Sequence, residues 1–241
     1  MLLVEFQTDI PEEQLAMDEL LLQKAEAGRL GETLRFWEAE EYFVVVGRAC
    51  KVREDCLEEK CTRDYVKILR RISGGGTVLQ GPGCVNYSAV LSYKSDNGYS
   101  SIRSSYRNIL GKISEAMQAR GINVAFYPIS DLALDGRKVS GNAQARKRKY
   151  FLHHGTFLYD FDLEKIPSYL KHPAKEPEYR EGRPHKNFLT NIPISREDLA
   201  GLVREAFSCR EDILEMGNDD LKTLNRLIAD KYSSDHWNYA F

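Results

Sequence analysis

Strand-like and helix-like segments alternate at irregular intervals along this chain, and this mixture is the feature that most constrains its fold. Residues 11–27 carry leucines at helical spacing behind a Pro-Glu-Glu entrance, and residues 101–120 place apolar side chains on one face. Gly28 and Gly121 follow these two segments as stop signals. Shorter helices are predicted at residues 197–207 and 218–231.

Runs rich in β-branched and aromatic residues predict the strands. Predicted strands lie at residues 33–37, 42–47, 66–71, 122–127, 132–134, 138–144 and 150–159. An exposed acidic turn joins the first two, tight turns at 135–136 and 146–149 separate the last three, and residues 172–186 are predicted to form an exposed loop. Because these strands are too irregular for a doubly wound fold, we predict an α/β (α+β) fold with a mixed β-sheet flanked by helices.

Length and charge exclude several classes of protein. A chain of 241 residues can bury a full core, and we expect one domain over residues 1–241. The formal net charge of −2 gives no general attraction to nucleic acid or anionic membranes. No apolar run approaches the roughly 18 residues of a membrane-spanning helix, and residues 1–12 carry acids where a signal peptide needs a basic start. We therefore expect a cytoplasmic protein that binds neither nucleic acid nor membranes.

Residues 146–149 form a basic run on one predicted turn. Without interleaved aromatic residues, this run is weak evidence for a nucleic-acid surface. We expect either a solvated turn or a dock for an acidic partner domain.

The cysteines and histidines give little support for a metal site. The five cysteines are odd in number and contain no CxxC pair, so we expect neither a disulfide framework nor a zinc site. His153 and His154 lie within a predicted strand, where alternation sends one imidazole into the site and the other outward. No acid or cysteine lies nearby at ligand spacing, so we predict no metal held by protein side chains alone.

The segment Arg70-Arg71-Ile72-Ser73-Gly74-Gly75-Gly76-Thr77-Val78 leads two cations and a hydroxyl group into three glycines. Glycines reach left-handed conformations at low cost and leave their N–H groups uncovered, so such a turn can bind a carboxylate or phosphate. The alternative for a glycine triplet alone is a flexible hairpin tip. The segment lacks the Gly-Lys-Ser/Thr ending of a P-loop and the Gly-x-Gly-x-x-Gly pattern of a dinucleotide fold, so a different chemistry is expected.

A second candidate is Lys138, which follows the predicted Asp135-Gly136 turn at the start of a strand with small neighbours. A lysine ammonium is a compact charge that suits a carboxylate and an α-phosphate as they join. For an average lysine, an exposed position on a hairpin is the better expectation. The glycine turn elsewhere in the chain is what favours the functional interpretation.

These segments together resemble the lipoate-protein ligase family. The matching motifs are Arg70-Arg71-x-Ser73-Gly74-Gly75-Gly76-Thr77-Val78, Gly83, Asn86, Lys138-Val139-Ser140-Gly141 and His153-His154-Gly155-Thr156. The likeness extends to Asp18 and Glu19, Trp37, Val46-Gly47-Arg48, Lys231-Tyr232 and Trp237-Asn238, so it covers nearly the whole chain.

The resemblance implies the catalytic α/β domain shared by lipoate ligases, octanoyltransferases and biotin-protein ligases. It also implies a two-step activity, in which ATP with Mg²⁺ and lipoate or octanoate form an acyl-adenylate, and a lysine of a lipoyl-domain acceptor then takes the acyl group. By position, Lys138 corresponds to the catalytic lysine. The residues implied to bind the substrate or acyl-adenylate are Arg70, Arg71, Ser73, Gly74, Gly75, Gly76, Thr77, Gln80, Cys84, Asn86, Asp131, Ser140, Gly141, His154, Gly155 and Thr156.

Departures from the family pattern keep alternatives open. Ligases usually have a His-Asp pair after the glycine turn, where this chain has Gln80-Gly81, and Cys84 replaces an asparagine. An octanoyltransferase would take its acyl group from acyl carrier protein through an activated cysteine, but no cysteine lies between Cys84 and Cys209. A non-catalytic module that binds lipoate or a lipoyl domain is the third interpretation.

Many ligases of this kind also carry a carboxy-terminal accessory domain, whereas this chain ends soon after Trp237. We therefore expect no accessory domain within residues 1–241. Either a separate polypeptide supplies that part or the activity does not need it.

Overall fold

The computed structural model describes residues 1–6, 8–209 and 212–241, and of Asn97 it describes the backbone alone. The α-helices in these residues are α1 (Pro11–Glu26), α2 (Val52–Asp55), α3 (Glu58–Arg63), α4 (Ile102–Gln118), α5 (Ile166–Tyr169), α6 (His185–Phe188), α7 (Arg196–Ala206), α8 (Asn218–Leu227) and α9 (Asp235–Asn238). Three 3-10 turns lie at Asn97–Tyr99, Leu163–Lys165 and Glu178–Arg180, and a π-helical turn at Ile228–Tyr232 follows α8. None of the helices in this part of the chain has the length and apolar character needed to cross a membrane.

The strands form two sheets. They are β1 (Leu2–Val4), β2 (Thr33–Glu38), β3 (Phe43–Val46), β4 (Ile68–Arg70), β5 (Val78–Gln80), β6 (Cys84–Ser92), β7 (Val124–Tyr127), β8 (Asp131–Leu134), β9 (Arg137–Arg146), β10 (Tyr150–Leu158) and β11 (Ile213–Leu214). Eight strands form a mixed sheet in the order β11-β1-β2-β6-β10-β9-β8-β7, and β4-β3-β5 form a smaller one. Because helices flank this mixed sheet, the predicted fold class is confirmed.

The two long helices cover opposite faces of the large sheet. Leu21 and Leu22 of α1 belong to the same core cluster as Leu152 of β10. Ile109 of α4 belongs to a second cluster with Phe151, the residue before Leu152. Successive side chains of a strand point to opposite faces, so β10 contributes to both cores. The apolar spacing of residues 11–27 and 101–120 therefore predicted both helices to within two residues at each end.

The central strand β6 was not among the predicted strands. All of its residues from Cys84 to Leu91 are buried, because helices cover both faces of the sheet at this point. A strand that is buried on both sides lacks the polar–apolar alternation that marks a half-exposed one.

The acidic segment 38–41 does not close a hairpin between its flanking strands. β2 pairs with β1 and β6 in the large sheet, whereas β3 pairs with β4 and β5 in the small one. The chain thus crosses from one sheet to the other after Glu38. This crossover places the small sheet beside one face of the large sheet, and the candidate site lies between them.

Candidate functional site

A cavity of about 150 Å³ is lined by residues from both sheets and from α1. Twelve of the predicted site residues line it: Arg71, Gly75, Gly76, Thr77, Gln80, Asn86, Asp131, Lys138, Gly141, His154, Gly155 and Thr156. Its apolar lining comes from Leu15, Trp37, Val45, Val78 and Ala143. One space therefore offers an apolar wall together with a cationic, hydrogen-bonding wall, the combination that an amphiphilic ligand requires.

Arg71 organises the glycine turn from inside the protein. Its Nη2 donates to the carbonyl oxygens of Gly74, at 2.6 Å, and Gly76, at 2.7 Å. Burial lowers the pKa of Arg71 to about 10, so the guanidinium stays charged at neutral pH. Gly75 between the two carbonyls has φ of +84°, a conformation that a side chain would strain.

This arrangement decides where the N–H groups of the turn point. In a trans peptide, the carbonyl of one residue and the N–H of the next point in opposite directions. The carbonyls of Gly74 and Gly76 point at Arg71, so the N–H groups of Gly75 and Thr77 point away from it. Neither N–H donates to any acceptor within the described residues. The turn thus presents free donors beside a buried cation, as an anion-binding nest does.

Lys138 lies across the cavity from this turn. Its Nζ is 2.8 Å from Oδ1 of Asp131, and its side chain is 26% exposed. Gly141 makes room for the ammonium, because a Cβ at that position would lie 2.9 Å from Lys138 Nζ. Asp131 pairs with Gly141 across β8 and β9, so the three residues share one face of the sheet.

A β-bulge separates Ser140 from this face. Leu132 pairs with Ser140, whereas Ala133 pairs with Lys138, so one residue of β9 is extra at the bulge. Ser140 therefore shares a face with the buried Leu132 and lies outside the cavity lining, where its hydroxyl accepts a hydrogen bond from Asn142. The family resemblance implied that Ser140 contacts the ligand, and the bulge turns its side chain away from the cavity.

His154 is held by a buried chain of hydrogen bonds. Its Nδ1 lies 3.0 Å from Oδ2 of Asp18, and its Nε2 lies 2.6 Å from Oγ of Ser73. Burial raises the pKa of Asp18, but the hydrogen bond from His154 and the charge of Arg35 outweigh this effect and lower it. An ionised Asp18 can only accept, so Nδ1 carries a proton. Ser73 also accepts from Arg71 Nε at 2.9 Å, so this chain of contacts reaches the glycine turn.

Asp18 supports the candidate site but was not among the residues predicted to bind the substrate. It lies within a helix whose apolar spacing accounts for its burial, and its partners are Arg35, Ser88 and His154. A carboxylate on the buried face of a predicted helix was the available signal. Ser73 itself is fully buried, so it supports the cavity wall and does not line it.

His153 points to the other face of β10, as the alternation predicted, but that face is not exposed. The imidazole is fully buried beneath α4, between the hydroxyl of Tyr87 and the amide of Gln144. Burial, and to a smaller extent His154, lower the pKa of His153 to about 3. No group of three or more potential metal ligands occurs among the described residues.

Gln80 and Asn86 form a buried pair on the cavity wall. Each side-chain amide donates to the oxygen of the other at 2.9 Å. Cys84 lies behind this pair, with its Sγ 3.4 Å from Gln80 Oε1 and outside the cavity lining. Cys84 was predicted to contact the ligand, and its position behind the pair does not support that contact. Burial also raises the pKa of its thiol.

Arg70 and Gly74 also lie outside the cavity lining. The Arg70 guanidinium donates hydrogen bonds of 2.8 to 3.1 Å to the backbone carbonyls of Gly47, Arg48, Cys50, Trp237 and Asn238. These bonds tie the carboxy-terminal helix α9 to β4, and the side chain is fully buried away from the cavity. Arg70 was predicted to bind the ligand, and the structure places it behind the cavity wall.

The basic run 146–149 lies at the end of β9 that is distant from the cavity. The Arg146 guanidinium stacks over Tyr93 at 4.8 Å and Phe151 at 4.9 Å and donates to the carbonyl of Tyr99. Along β9, eight residues at about 3.3 Å each separate Arg146 from Lys138, a distance of roughly 26 Å. The solvated-turn interpretation fits the remaining three residues, which are exposed.

Comparison with known proteins gives a consistent relationship. Residues 10–200 match the family described as the lipoyl protein ligase A/B catalytic domain. The chain is 24% identical to octanoyltransferase LipM of Halalkalibacterium halodurans, with 95% of both chains covered. It is 25% identical to lipoate–protein ligase 1 of Staphylococcus aureus, covering 95% of this chain and 70% of the relative.

Among solved structures, the fold is similar to a bi-partite lipoate protein ligase from Thermoplasma acidophilum, described together with its E2 lipoyl domain. The TM-score is 0.83 at 21% identity, covering 99% of this chain and 95% of that one. At this identity the likeness shows the fold. The sequence match over residues 10–200 spans most of the chain, and this chain therefore belongs to the lipoyl protein ligase A/B catalytic-domain family, whose members include lipoate ligases and octanoyltransferases.

Proposed function

We propose that the chain is a lipoate-protein ligase that activates lipoate or octanoate with ATP and transfers the acyl group to a lysine of a lipoyl domain. One observation carries this proposal. Lys138 and the N–H groups at the glycine turn border the same cavity, which also has an apolar wall. An acyl chain can lie along Leu15, Val45 and Val78 while its carboxylate approaches the cations.

The chemistry proceeds in two displacements. An acyl carboxylate oxygen attacks the α-phosphorus of ATP, the bond to the β-phosphate oxygen breaks, and pyrophosphate leaves. The amine of the acceptor lysine then attacks the acyl carbon, AMP leaves, and the amine proton passes to solvent. Negative charge accumulates where carboxylate and phosphate meet, so the Lys138 ammonium and the turn N–H groups stabilise that state.

ATP enters this scheme with Mg²⁺ as part of the substrate. Asp131 is the one carboxylate among the described residues that line the cavity, and Lys138 already neutralises it. Magnesium commonly takes one or two carboxylates together with phosphate oxygens and water. Binding of the ion mainly through the phosphates is therefore the arrangement we propose.

The second candidate is an octanoyltransferase that uses acyl carrier protein, and relatives such as the LipM protein matched over 95% of both chains favour it. Such an enzyme needs a reachable thiolate. Burial raises the pKa of all five thiols, to about 12 for Cys56 and about 11 for Cys61. None of the five cysteines lines the cavity. The absence of an activated thiol supports the ligase as the first candidate.

Supplying each acyl donor separately to the protein and a lipoyl domain distinguishes the candidates. With lipoate or octanoate and MgATP, a ligase releases AMP and acylates the domain. Turnover from octanoyl acyl carrier protein alone identifies a transferase, and binding without turnover identifies a non-catalytic module. The same assay, repeated with a separately produced accessory domain where one is found, tests whether a second polypeptide is needed.

A further inference from the structure

Most residues of the predicted exposed loop at 172–186 are exposed, but the segment 172–190 packs onto the strand that carries Lys138. Thr190 N donates to the carbonyl of Lys138 at 3.0 Å. Arg137 Nη2 donates to the carbonyl of Leu189 at 2.6 Å, and Arg183 Nη2 donates to that of Gly136 at 3.2 Å. The segment is therefore fastened on both sides of the turn that leads into β9.

Tyr179 extends from this segment towards the ion pair of the site. Its ring packs on those of Tyr127, at 4.5 Å between centroids, and Phe188, at 5.1 Å. Its hydroxyl donates to Oδ2 of Asp131 at 2.8 Å. Burial and the neighbouring Asp131 raise the pKa of Tyr179 well above its ordinary value, so the hydroxyl keeps its proton and remains a donor.

The two oxygens of Asp131 thus have different partners. Oδ2 accepts from Tyr179, while Oδ1 lies 2.8 Å from the ammonium of Lys138. Asp131 is 5% exposed, so solvent offers little replacement for a lost donor. A carboxylate held at both oxygens cannot rotate freely, and its rotation would move the ammonium that it holds.

We infer that Tyr179 is a positioning residue that orients Asp131 and thereby sets the place of the Lys138 ammonium in the cavity. This inference rests on the proposed role of Lys138 in acyl activation. Tyr179 does not itself line the cavity and contacts the lining residue Asp131, so its effect is exerted through Asp131.

Tyr179→Phe keeps the ring packing and removes only the hydroxyl. We expect kcat to fall about tenfold, the scale of losing one hydrogen bond to a charged group, with KM for the acyl acid changed less than about twofold. Labelling of Lys138 by an amine reagent, followed by mass spectrometry, should become faster because the ammonium is held less tightly. Tyr127→Phe is the matched control, since the Tyr127 hydroxyl makes no hydrogen bond within the described residues, and it should leave both readouts unchanged.

A double-mutant cycle separates this role from loss of loop packing. If Tyr179 acts through Asp131, then Tyr179→Phe adds no further loss of kcat in an Asp131→Asn background. Additive losses, or a Tyr179→Phe variant that matches Tyr127→Phe in kcat and labelling, would overturn the inference. Failure of the proposed function is distinguishable, because full activity of Lys138→Ala would refute it whatever the labelling of Lys138 in the Tyr179 variants shows.

Discussion

The position of the Lys138 ammonium depends on two neighbouring residues and on a bulge in its own strand. Asp131 neutralises it, Gly141 leaves the space that it occupies, and the bulge in β9 turns it towards the cavity. A lysine on a regular hairpin would have neither the counterion nor the space. These features make it the cation best placed to meet a carboxylate and a phosphate together.

We expect Lys138→Ala to lower the rate of acyl transfer to below about 1% of wild type, because one electrostatic contact to a transition state commonly contributes a hundredfold or more. The change truncates a partly exposed side chain, so the protein should remain folded by circular dichroism. Lys149→Ala, at the exposed hairpin tip, is the control and should retain the full rate. Retention of more than a few per cent by the Lys138 variant contradicts its assignment.

Replacement by lysine should have different effects at the adjacent residues Arg70 and Arg71. Arg71→Lys removes the Nη2 group that donates to the carbonyls of Gly74 and Gly76. The turn should then lose its geometry, and kcat/KM should fall about a hundredfold. Arg70→Lys disturbs the tie to Trp237 and Asn238, so it should lower Tm by several degrees, with a much smaller effect on kcat/KM. Thermal melts and initial rates measure both effects, and equal effects of the two variants on kcat/KM would contradict the division of roles.

Sequence patterns identified the residue types of the site better than their orientations. Local chemistry marked Arg71, Lys138 and the glycine turn as candidates. Arg71, Lys138 and two of the three glycines line the cavity, whereas Gly74 does not. Local chemistry could not separate Arg70 from Arg71, because the partners of Arg70 in α9 lie 167 and 168 residues further along the chain. The orientation of Ser140 was hidden for a different reason, since it is set by a bulge and a bulge leaves no reliable signature in a single sequence.

At the scale of elements, apolar residues at helical spacing were predictable, whereas the fully buried central strand β6 was not. Helix α4 shows its periodicity because one side of it packs against the sheet. Helix α1 is buried on nearly all sides from Gln14 to Leu22, and the leucines between its Pro-Glu-Glu entrance and Gly28 are what predicted it. Strand β6 shows no period because its two faces are covered by different helices. The segment at 172–186 has the composition of a loop, yet Arg180 within it is buried and Tyr179 reaches Asp131, contacts that depend on distant strands.

The burial of β10 beneath α4 has a measurable consequence through His153. Its pKa in the folded protein is about 3, against an ordinary value of 6.5, because burial disfavours the charged ring. Below pH 6.5 the unfolded chain takes up a proton that the folded protein does not. This contribution to stability is therefore complete above pH 6.5 and is lost as the pH falls towards 3.

We expect the wild-type protein to lose about 2 kcal/mol more unfolding free energy than His153→Gln between pH 6.5 and pH 5. Urea unfolding at several pH values in this range measures the difference. His236→Gln replaces an exposed imidazole and should keep the wild-type slope. A His153→Gln variant with the same pH slope as wild type would show that His153 is protonated in the folded state.

At the scale of the whole molecule, the cavity exists because two sheets and one helix meet. Leu15 comes from α1, Val45 and Val78 from the small sheet, and Trp37 and Ala143 from the large one. No local pattern encodes this apolar wall, since its members are spread over more than half of the chain. The sequence predicted residues that could bind the anionic end of a ligand, whereas the space for an apolar tail is visible only in the assembled fold.

This space should limit the length of the acyl chain. A cavity of about 150 Å³ has room for a group of roughly the size of benzene, so this cavity suits the tail of a medium-chain acid and is too small for a long-chain fatty acid. Measured with MgATP, kcat/KM should be high for octanoate and low for palmitate. Ala143→Leu fills part of the apolar wall.

This variant should lower kcat/KM about tenfold for octanoate, in line with the effect of a few methylene groups in a pocket, and much less for butyrate. Ala145→Leu adds the same bulk two residues along the same face of β9 but outside the cavity lining, so it should not change the preference between the two acids. Equal losses with butyrate and octanoate in Ala143→Leu would mean that the tail lies elsewhere, because a filled pocket must discriminate by length.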